Sequence, residues 1–226
     1  VHSAKDMPTF LPPGLALAAC LEREDPRDVL ISKKAKTIQE LPHGARVGTA
    51  SLRRQAIMKR ARPDLEIAPL RGNVETRLRK LDGGEADAII LALAGLKRLG
   101  LEGRATRIMS AEEFLPAAGQ GAIAIETRED DAATRALISK IDHADTSAAV
   151  AAERAFLAVL DGSCKTPIGA HATIDGAMVT FRGLIARPDG SAAHDISAAG
   201  QRAAAVTIAE DCARALKQRA GTNFFD

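Results

Sequence analysis

The sequence predicts an α/β protein of two lobes, followed by a small α+β domain at its C-terminal end. Three observations lead there. Apolar residues make up 46% of the 226-residue chain, but aromatics only 3% and Trp and Tyr are absent. A core of Ala, Leu, Ile and Val suits branched residues in buried strands and Ala/Leu on helices. Short apolar runs alternate with helical patterns between residues 28 and 115. After residue 144 the texture changes to one long Ala-rich helix and three alternating segments.

The elements follow in order. "LALAACLE" (15–22) reads as a buried strand, and "EREDPRD" as a charged crossing around Pro26. "DVLIS" (28–32) is a strand; "TIQEL" (37–41) reads as a short helix with Thr37 as its N-cap. "ARVGT" (45–49), "LEIAPL" (65–70) and "ADAIILAL" (86–93) read as strands, the last continuously apolar as in a central parallel strand. Between them, "SLRRQAIMKRA" (51–61) and "NVETRLRKLDGG" (73–84) have helical spacing, the second capped by Asn73 and stopped by paired glycines. "AGLKRLGL" starts the next helix.

"LPAAGQG" (115–121) is a second crossing, followed by a strand "AIAIE" and a helix "DDAATRALISKI". A helix at 146–160, antiparallel strands with turns at Asp175-Gly176 and Asp189-Gly190, and a last helix from about 201 to 220 complete the chain. Two crossings imply that the chain leaves one lobe, builds another and returns. The expected domains are 1–21 with 122–143, then 27–115, then 144–226. A cleft between lobes is the default ligand site.

The formal charge is +2, from 31 basic and 29 acidic residues, which gives no case for nucleic-acid binding by bulk charge. Cys20, Cys164 and Cys212 are odd in number and widely spaced, with no metal-type pair and no disulfide framework. A reducing, cytoplasmic setting fits. No apolar run reaches transmembrane length and no signal peptide is visible. The chain opens "VHSAKDMP" without an initiator Met and reads as the end of a strand whose partners are missing, so a piece of a longer protein is expected.

The chemistry concentrates at strand ends. In "VGTASLRRQ", Thr49 and Ser51 precede a helix start bearing Arg53 and Arg54. Helix starts present free N–H groups and partial positive charge, so they favour anions. "PLRGNVETRL" repeats the arrangement with Arg71, Gly72 for close backbone approach, Asn73 and Arg77. The carboxyl ends of parallel strands share one edge, so both helix starts converge, with Arg98 a third contributor. Guanidinium forks suit carboxylates and phosphates, so the expected ligand is a multi-anionic small molecule.

In "HSAKDMP", Ser3, Lys5 and Asp6 follow a short strand, and Asp6 at a cleft edge is suited to proton transfer or to stabilising a cation. Cys164 sits in the polar loop "GSCKTPIG", unlike Cys20 and Cys212, which read as core thiols. Lys165 favours a thiolate there. The residues alone leave open a covalent anchor or a nucleophile, including a Cys hydrolase with His171.

"VHSAKDMP", "EREDPRD", "VGTASLRR", "LRGNVETRL", "DAIILALAGLKRLG", "LPAAGQGAIAIE", "AERAFL" and "GSCKTPIGA" occur in the order seen in the porphobilinogen deaminase (hydroxymethylbilane synthase) family, which the chain resembles over nearly its whole length. The resemblance implies a transferase of haem biosynthesis. It condenses four porphobilinogens head to tail into hydroxymethylbilane, releasing ammonia, on a dipyrromethane cofactor in thioether linkage to one cysteine. It implies Cys164 as the anchor and Asp6 as the residue that stabilises pyrrole-derived cations and assists proton transfer. Ser3, Lys5, Thr49, Ser51, Arg53, Arg54, Arg71, Gly72 and Arg77 are implied cofactor contacts, and Arg98 and Gln120 substrate contacts.

The implied fold is two lobes resembling periplasmic binding proteins plus a small domain bearing the cysteine, in a monomer without nucleic-acid or membrane partners. The family usually has serine where this chain has Ala50, a loss of one hydroxyl. Family members also have a substantial segment before "VHS", so the chain as it stands is expected to be inactive. The competing reading is a non-catalytic two-lobed module for polycarboxylates, which needs the arginines but neither Asp6 nor Cys164.

Overall fold

The computed structural model describes residues 1–162, 166–221 and 224. The described residues form three sheets. Strand β1 (His2–Ser3) is followed by a single 3-10 turn, Ala4–Asp6, and by β2 (Leu15–Cys20). The second body contains β3 (Asp28–Ser32), β4 (Arg46–Gly48), α1 (Leu52–Ala61), β5 (Glu66–Ala68), α2 (Val74–Asp82), β6 (Ala88–Ala92), α3 (Leu93–Arg98) and β7 (Arg107–Ile108). β8 (Ile123–Arg128) and α4 (Ala132–Ile138) return to the first sheet. The C-terminal part is α5 (Ala144–Val159), β9 (Ile168–Asp175), β10 (Met178–Ala186), β11 (Ala193–Gln201) and α6 (Ala205–Ala220).

The five-stranded sheet has the order β5-β4-β6-β3-β7. β4 pairs in parallel with β5 and β6, whereas β3 pairs antiparallel with β6 and β7. The sheet is therefore mixed. Its strands are apolar on both faces because helices cover both. Leu30 and Ile90 belong to one cluster with Met58 of α1; Val29, Ile31, Ile89 and Leu91 belong to another with Leu78 and Leu81 of α2. Period-two alternation thus divides each run between two cores.

In the first sheet β8 lies between β1 and β2, antiparallel to both. The strand at the start of the chain therefore has a partner, which lies some 120 residues along rather than nearby. The third sheet, β11-β10-β9, is an antiparallel meander packed on α5 and α6 through Phe156, Phe181, Ala209 and Cys212. Residues 37–41 form a turn, not the expected helix. Thr37 still caps locally, its hydroxyl accepting from the Glu40 amide at 3.2 Å. Arg62 takes the carbonyls of Gln39 and Leu41, at 2.9 and 3.0 Å, which a continuing helix would need, and Pro42 follows.

The two crossings run side by side, with the Glu24 amide donating to the Gly121 carbonyl at 3.2 Å. Gly121 has φ +88°, and a Cβ there would lie 2.2 Å from the Glu24 carbonyl oxygen, so only glycine lets the crossings touch. Arg23 of the first crossing forms a bidentate pair with the buried Glu153 of α5 at 2.7 and 3.1 Å. Glu153 also accepts the amides of Gly119 (2.6 Å) and Ala172 (2.8 Å), tying both crossings to the third sheet.

Candidate functional site

A cavity of about 230 Å³ opens where the three bodies meet. The 3-10 turn contributes Lys5 and Asp6, the α1 start Ser51, Arg53 and Arg54, and α2 Arg77. Gln120 enters from the second crossing and Arg154 from α5; Thr9, Leu157, Thr166 and Ile168 close the side of the third sheet. Among the described residues the wall thus combines five cationic side chains with one carboxylate, Asp6.

The parallel strands explain the convergence. β4, β5 and β6 place their carboxyl ends on one edge, where α1 and α2 begin. Ser51 caps α1, its hydroxyl accepting from the Arg54 amide at 3.5 Å, and Thr49 accepts from the Ser51 amide at 3.2 Å. Asn73 caps α2, accepting from the Thr76 amide at 2.8 Å. Gly72 has φ +124°, and a Cβ there would meet Thr76 Cγ2 at 2.7 Å.

Arg53 and Arg54 are not solvated. Both are buried against Asp28, the first residue of β3. Arg53 Nη2 donates to Asp28 Oδ2 at 2.7 Å; Arg54 Nη2 and Nε donate to Oδ1 at 2.7 and 3.1 Å. Arg53 Nη1 and Arg54 Nη1 reach the carbonyls of Leu115 (2.6 Å) and Ile90 (2.9 Å), while Arg53 Nε has no hydrogen-bond partner among the described residues. Gln120 Nε2 adds bonds to Asp28 Oδ1 (3.1 Å) and to the Pro26 carbonyl (2.6 Å). Burial opposes ionisation of Asp28, but the two guanidiniums outweigh it and hold its carboxyl below the usual range. Two cations against one anion leave this cluster net positive.

Arg77 is half-buried, and its Nε has no hydrogen-bond partner among the described residues. Burial and the nearby Arg54 lower its pKa, with Asp6 opposing. The Lys5 ammonium is lowered to about 8 by burial and by Arg54, again against Asp6. Unpartnered donors and a depressed ammonium are groups that an incoming carboxylate would stabilise.

Of the sequence-predicted residues, Lys5, Asp6, Ser51, Arg53, Arg54, Arg77 and Gln120 share this cavity. Ser3 lies in β1, Thr49 is buried behind the α1 start, and Arg71 and Gly72 are exposed on the loop before α2. Arg98 stands at the far end of α3 and donates to the Gly121 carbonyl at 2.9 Å. His171 pairs with Arg182 inside the third sheet, and burial lowers its pKa. Cys164 lies outside the described residues. Two further charged side chains at or beside the cavity carry no signal in the sequence. Asp28 looks there like an ordinary strand start, and Arg154 like one basic residue of a long helix.

Comparison with known proteins follows the same outline. The family model "Porphobilinogen deaminase, dipyromethane cofactor binding domain" matches residues 1–136, and "Porphobilinogen deaminase, C-terminal domain" matches residues 147–218. The porphobilinogen deaminases of Nitrobacter hamburgensis and Nitrobacter winogradskyi are 57% and 56% identical over 225 residues, covering 100% of this chain and 71% of each relative. Solved structures to which the chain is similar in part include a putative methionine-binding lipoprotein of Bacillus subtilis (TM-score 0.41, 17% identity, 59% of this chain and 63% of that one). Another is an ABC-transporter periplasmic substrate-binding protein of Coxiella burnetii (TM-score 0.39, 18% identity, 57% and 62%).

Proposed function

The chain belongs to the porphobilinogen deaminase family, and from that premise we propose that the three-body cavity is where its chemistry occurs, with Asp6 as the catalytic group. The family's transferases make hydroxymethylbilane from four porphobilinogens on a dipyrromethane cofactor. The observation that carries the assignment is Asp6, the one carboxylate among the described residues of the cavity wall, set among Lys5, Arg53, Arg54, Arg77 and Arg154.

The cavity suits the cofactor. Each pyrrole bears carboxylates, and the wall offers the unpartnered Nε of Arg77, a Lys5 ammonium that gains from an anion, and a net-positive Arg53–Arg54–Asp28 cluster. Lys5, Ser51, Arg53, Arg54 and Arg77 would hold it, with Cys164 as the anchor; Ser3, Thr49, Arg71, Gly72, Arg98 and Gln120 complete the proposed set. The neighbours of 163–165 support the anchor: Thr166 lines the cavity, and the Gly162 carbonyl accepts from the hydroxyl of cavity-lining Thr9 at 2.6 Å. When bound, the cofactor supplies a nucleophilic pyrrole carbon on which the chain is extended.

Asp6 does the electrostatic and proton work. A carboxylate beside a developing cation lowers its energy, and the same oxygen takes up or returns a proton as the amine leaves. Lys5, Arg53, Arg54 and Arg77 bind carboxylates and orient each unit, so substrate orientation and charge stabilisation come from opposite kinds of residue in one wall. A binding module for polycarboxylates would not need Asp6 there.

We read the domains as 1–21 with 122–143, 27–115 and 144–226, each containing one of the three sheets. The near-balanced charge argues against a nucleic-acid partner and the free Cys20 and Cys212 thiols fit a cytoplasmic setting, while the family suggests a monomer without membrane partners.

The test joins mass and rate. Digestion of the holoenzyme places a dipyrromethane-sized addition on Cys164, and Asp6→Asn lowers bilane formation by about 10²-fold or more while that addition is retained. An adduct elsewhere, or full activity with asparagine, would discard the assignment.

A further inference from the structure

We propose that Arg154 is a positioning residue, holding the Asp6 turn against the third body beside Gly162. The proposal rests on the roles given above to Asp6 and Cys164. Asp6 ends a single 3-10 turn of three residues, and its side chain is exposed to the cavity. One such turn has little stability of its own, so its place is set by what grips its two ends.

The grips differ. Before Asp6, the buried Ala4 donates its amide to the Ala122 carbonyl at 3.0 Å and lies against Gly119, where a Cβ would approach Ala4 to 2.9 Å. That end belongs to the first sheet and the second crossing. After Asp6, Arg154 Nη2 donates to the carbonyls of Pro8 and Thr9, both at 2.9 Å. Thr9 then donates its hydroxyl to the Gly162 carbonyl at 2.6 Å, two residues before Cys164. One short segment therefore runs from the first sheet to the entrance of the cysteine loop, with Asp6 in its middle.

α5 is placed to do this. Its neighbouring residue Glu153 is buried and engaged by Arg23 and by the amides of Gly119 and Ala172. That network fixes the rotation of the helix, so Arg154, one position on, is presented to the Asp6 segment. A carboxylate displaced by about 1 Å from a reacting centre can lose on the order of 10²-fold in rate. Holding the Asp6 segment from α5, and through Thr9 onto Gly162, removes that freedom.

The test is a double-variant cycle on the holoenzyme, with intact mass confirming the cofactor in every sample. Arg154→Met keeps the aliphatic stem and removes the fork. We expect kcat to fall about tenfold to 10²-fold with KM within about twofold, and Arg154→Lys to recover part of it. Asp6→Glu moves the carboxylate by one methylene. If Arg154 acts through Asp6, the two losses do not multiply, and the double variant is no more than roughly twofold below the slower single one.

Fully multiplicative losses, or a raised KM with kcat preserved, would overturn the proposal, the latter marking Arg154 as a direct carboxylate contact. Asp6→Glu with unchanged kcat would instead remove the Asp6 assignment on which it rests. Should Arg154→Met not yield folded holoenzyme, Thr9→Val, which removes only the bond to Gly162, carries the same cycle with a smaller loss.

Discussion

α1 and α2 leave the same edge of the five-stranded sheet, each from a polar cap and each with arginines near its start. At α1, Arg53 and Arg54 are buried on Asp28, with all four Nη groups and Arg54 Nε engaged by its carboxylate and two backbone carbonyls and only Arg53 Nε left over. At α2, Arg71 is exposed and Arg77 faces the cavity with an unpartnered Nε. The caps differ too: Asn73 accepts at 2.8 Å, Ser51 only at 3.5 Å. Similar sequence at two helix starts has thus produced one built electropositive wall and one open anion contact. The difference is a single strand-start carboxylate, Asp28, which reaches the first and not the second.

Removing that carboxylate should break the contrast most severely. Asp28→Ala leaves two buried guanidiniums without a counter-ion, a change that typically costs about 3–5 kcal/mol. Denaturant titration should show the midpoint fall accordingly, with the five-stranded body the first to open. A midpoint within experimental scatter of the parent would mean that the cluster relaxes into water and that α1 resembles α2 after all.

Arg77→Gln should do the reverse, sparing the fold and weakening the ligand. A charge-assisted hydrogen bond is worth roughly 1.5–3 kcal/mol, so KM for porphobilinogen should rise about tenfold or more while the unfolding midpoint hardly moves. Arg54→Gln in parallel should lose stability, because it opens the Asp28 cluster. Equal stability losses at the two positions would erase the distinction between wall and contact.

Lys5 sharpens the comparison through pH. Its ammonium, lowered to about 8, is charged at neutral pH and loses that charge as pH rises through about 8. Affinity for carboxylates should therefore weaken above pH 8, seen as a rising KM, and Lys5→Arg should remove that limb. Stability runs the other way. The unfolded chain keeps the ordinary value of 10.5 and binds more protons between about 8 and 10.5, so this group's contribution to stability improves with pH across that window. A flat KM from pH 7 to 9 would take Lys5 out of the anion site.

The smallest effects concern the caps. Asn73→Ala should cost about 1 kcal/mol of stability, and Ser51→Ala less, in keeping with its longer bond. Thermal unfolding of the two variants ranks them; the opposite order would place the better cap at α1.

The elements were largely legible. β3 runs over the same residues, Asp28–Ser32, that the apolar run marks, because a strand covered on both faces is written as a continuous string. Residues 37–41 misled, because five residues of helical spacing cannot outweigh the loss of their carbonyls to Arg62, twenty-odd residues away. For the proposed site, Lys5, Asp6, Ser51, Arg53, Arg54, Arg77 and Gln120 were each marked by local sequence; the parallel strands bring only the α1 and α2 residues to one edge, while Lys5 and Asp6 arrive from the 3-10 turn and Gln120 from the second crossing. Arg98 shows how much packing decides. α3 starts at that edge, but Arg98 is its last residue, and the helix carries it away to the Gly121 carbonyl.

The amino-acid order by itself determined what repeats locally: the strand runs, the caps, the glycine-bounded helix ends, and the family motifs that specify the reaction. It did so because backbone periodicity and motif identity are properties of neighbouring residues. Tertiary structure alone decided which charges meet. Asp28 finds arginines 25 and 26 positions later, and Arg154 finds backbone 145 and 146 positions earlier. Whether a guanidinium serves the fold or a ligand depends on the carboxylate or carbonyl that reaches it first, and that partner is chosen by packing across the whole chain.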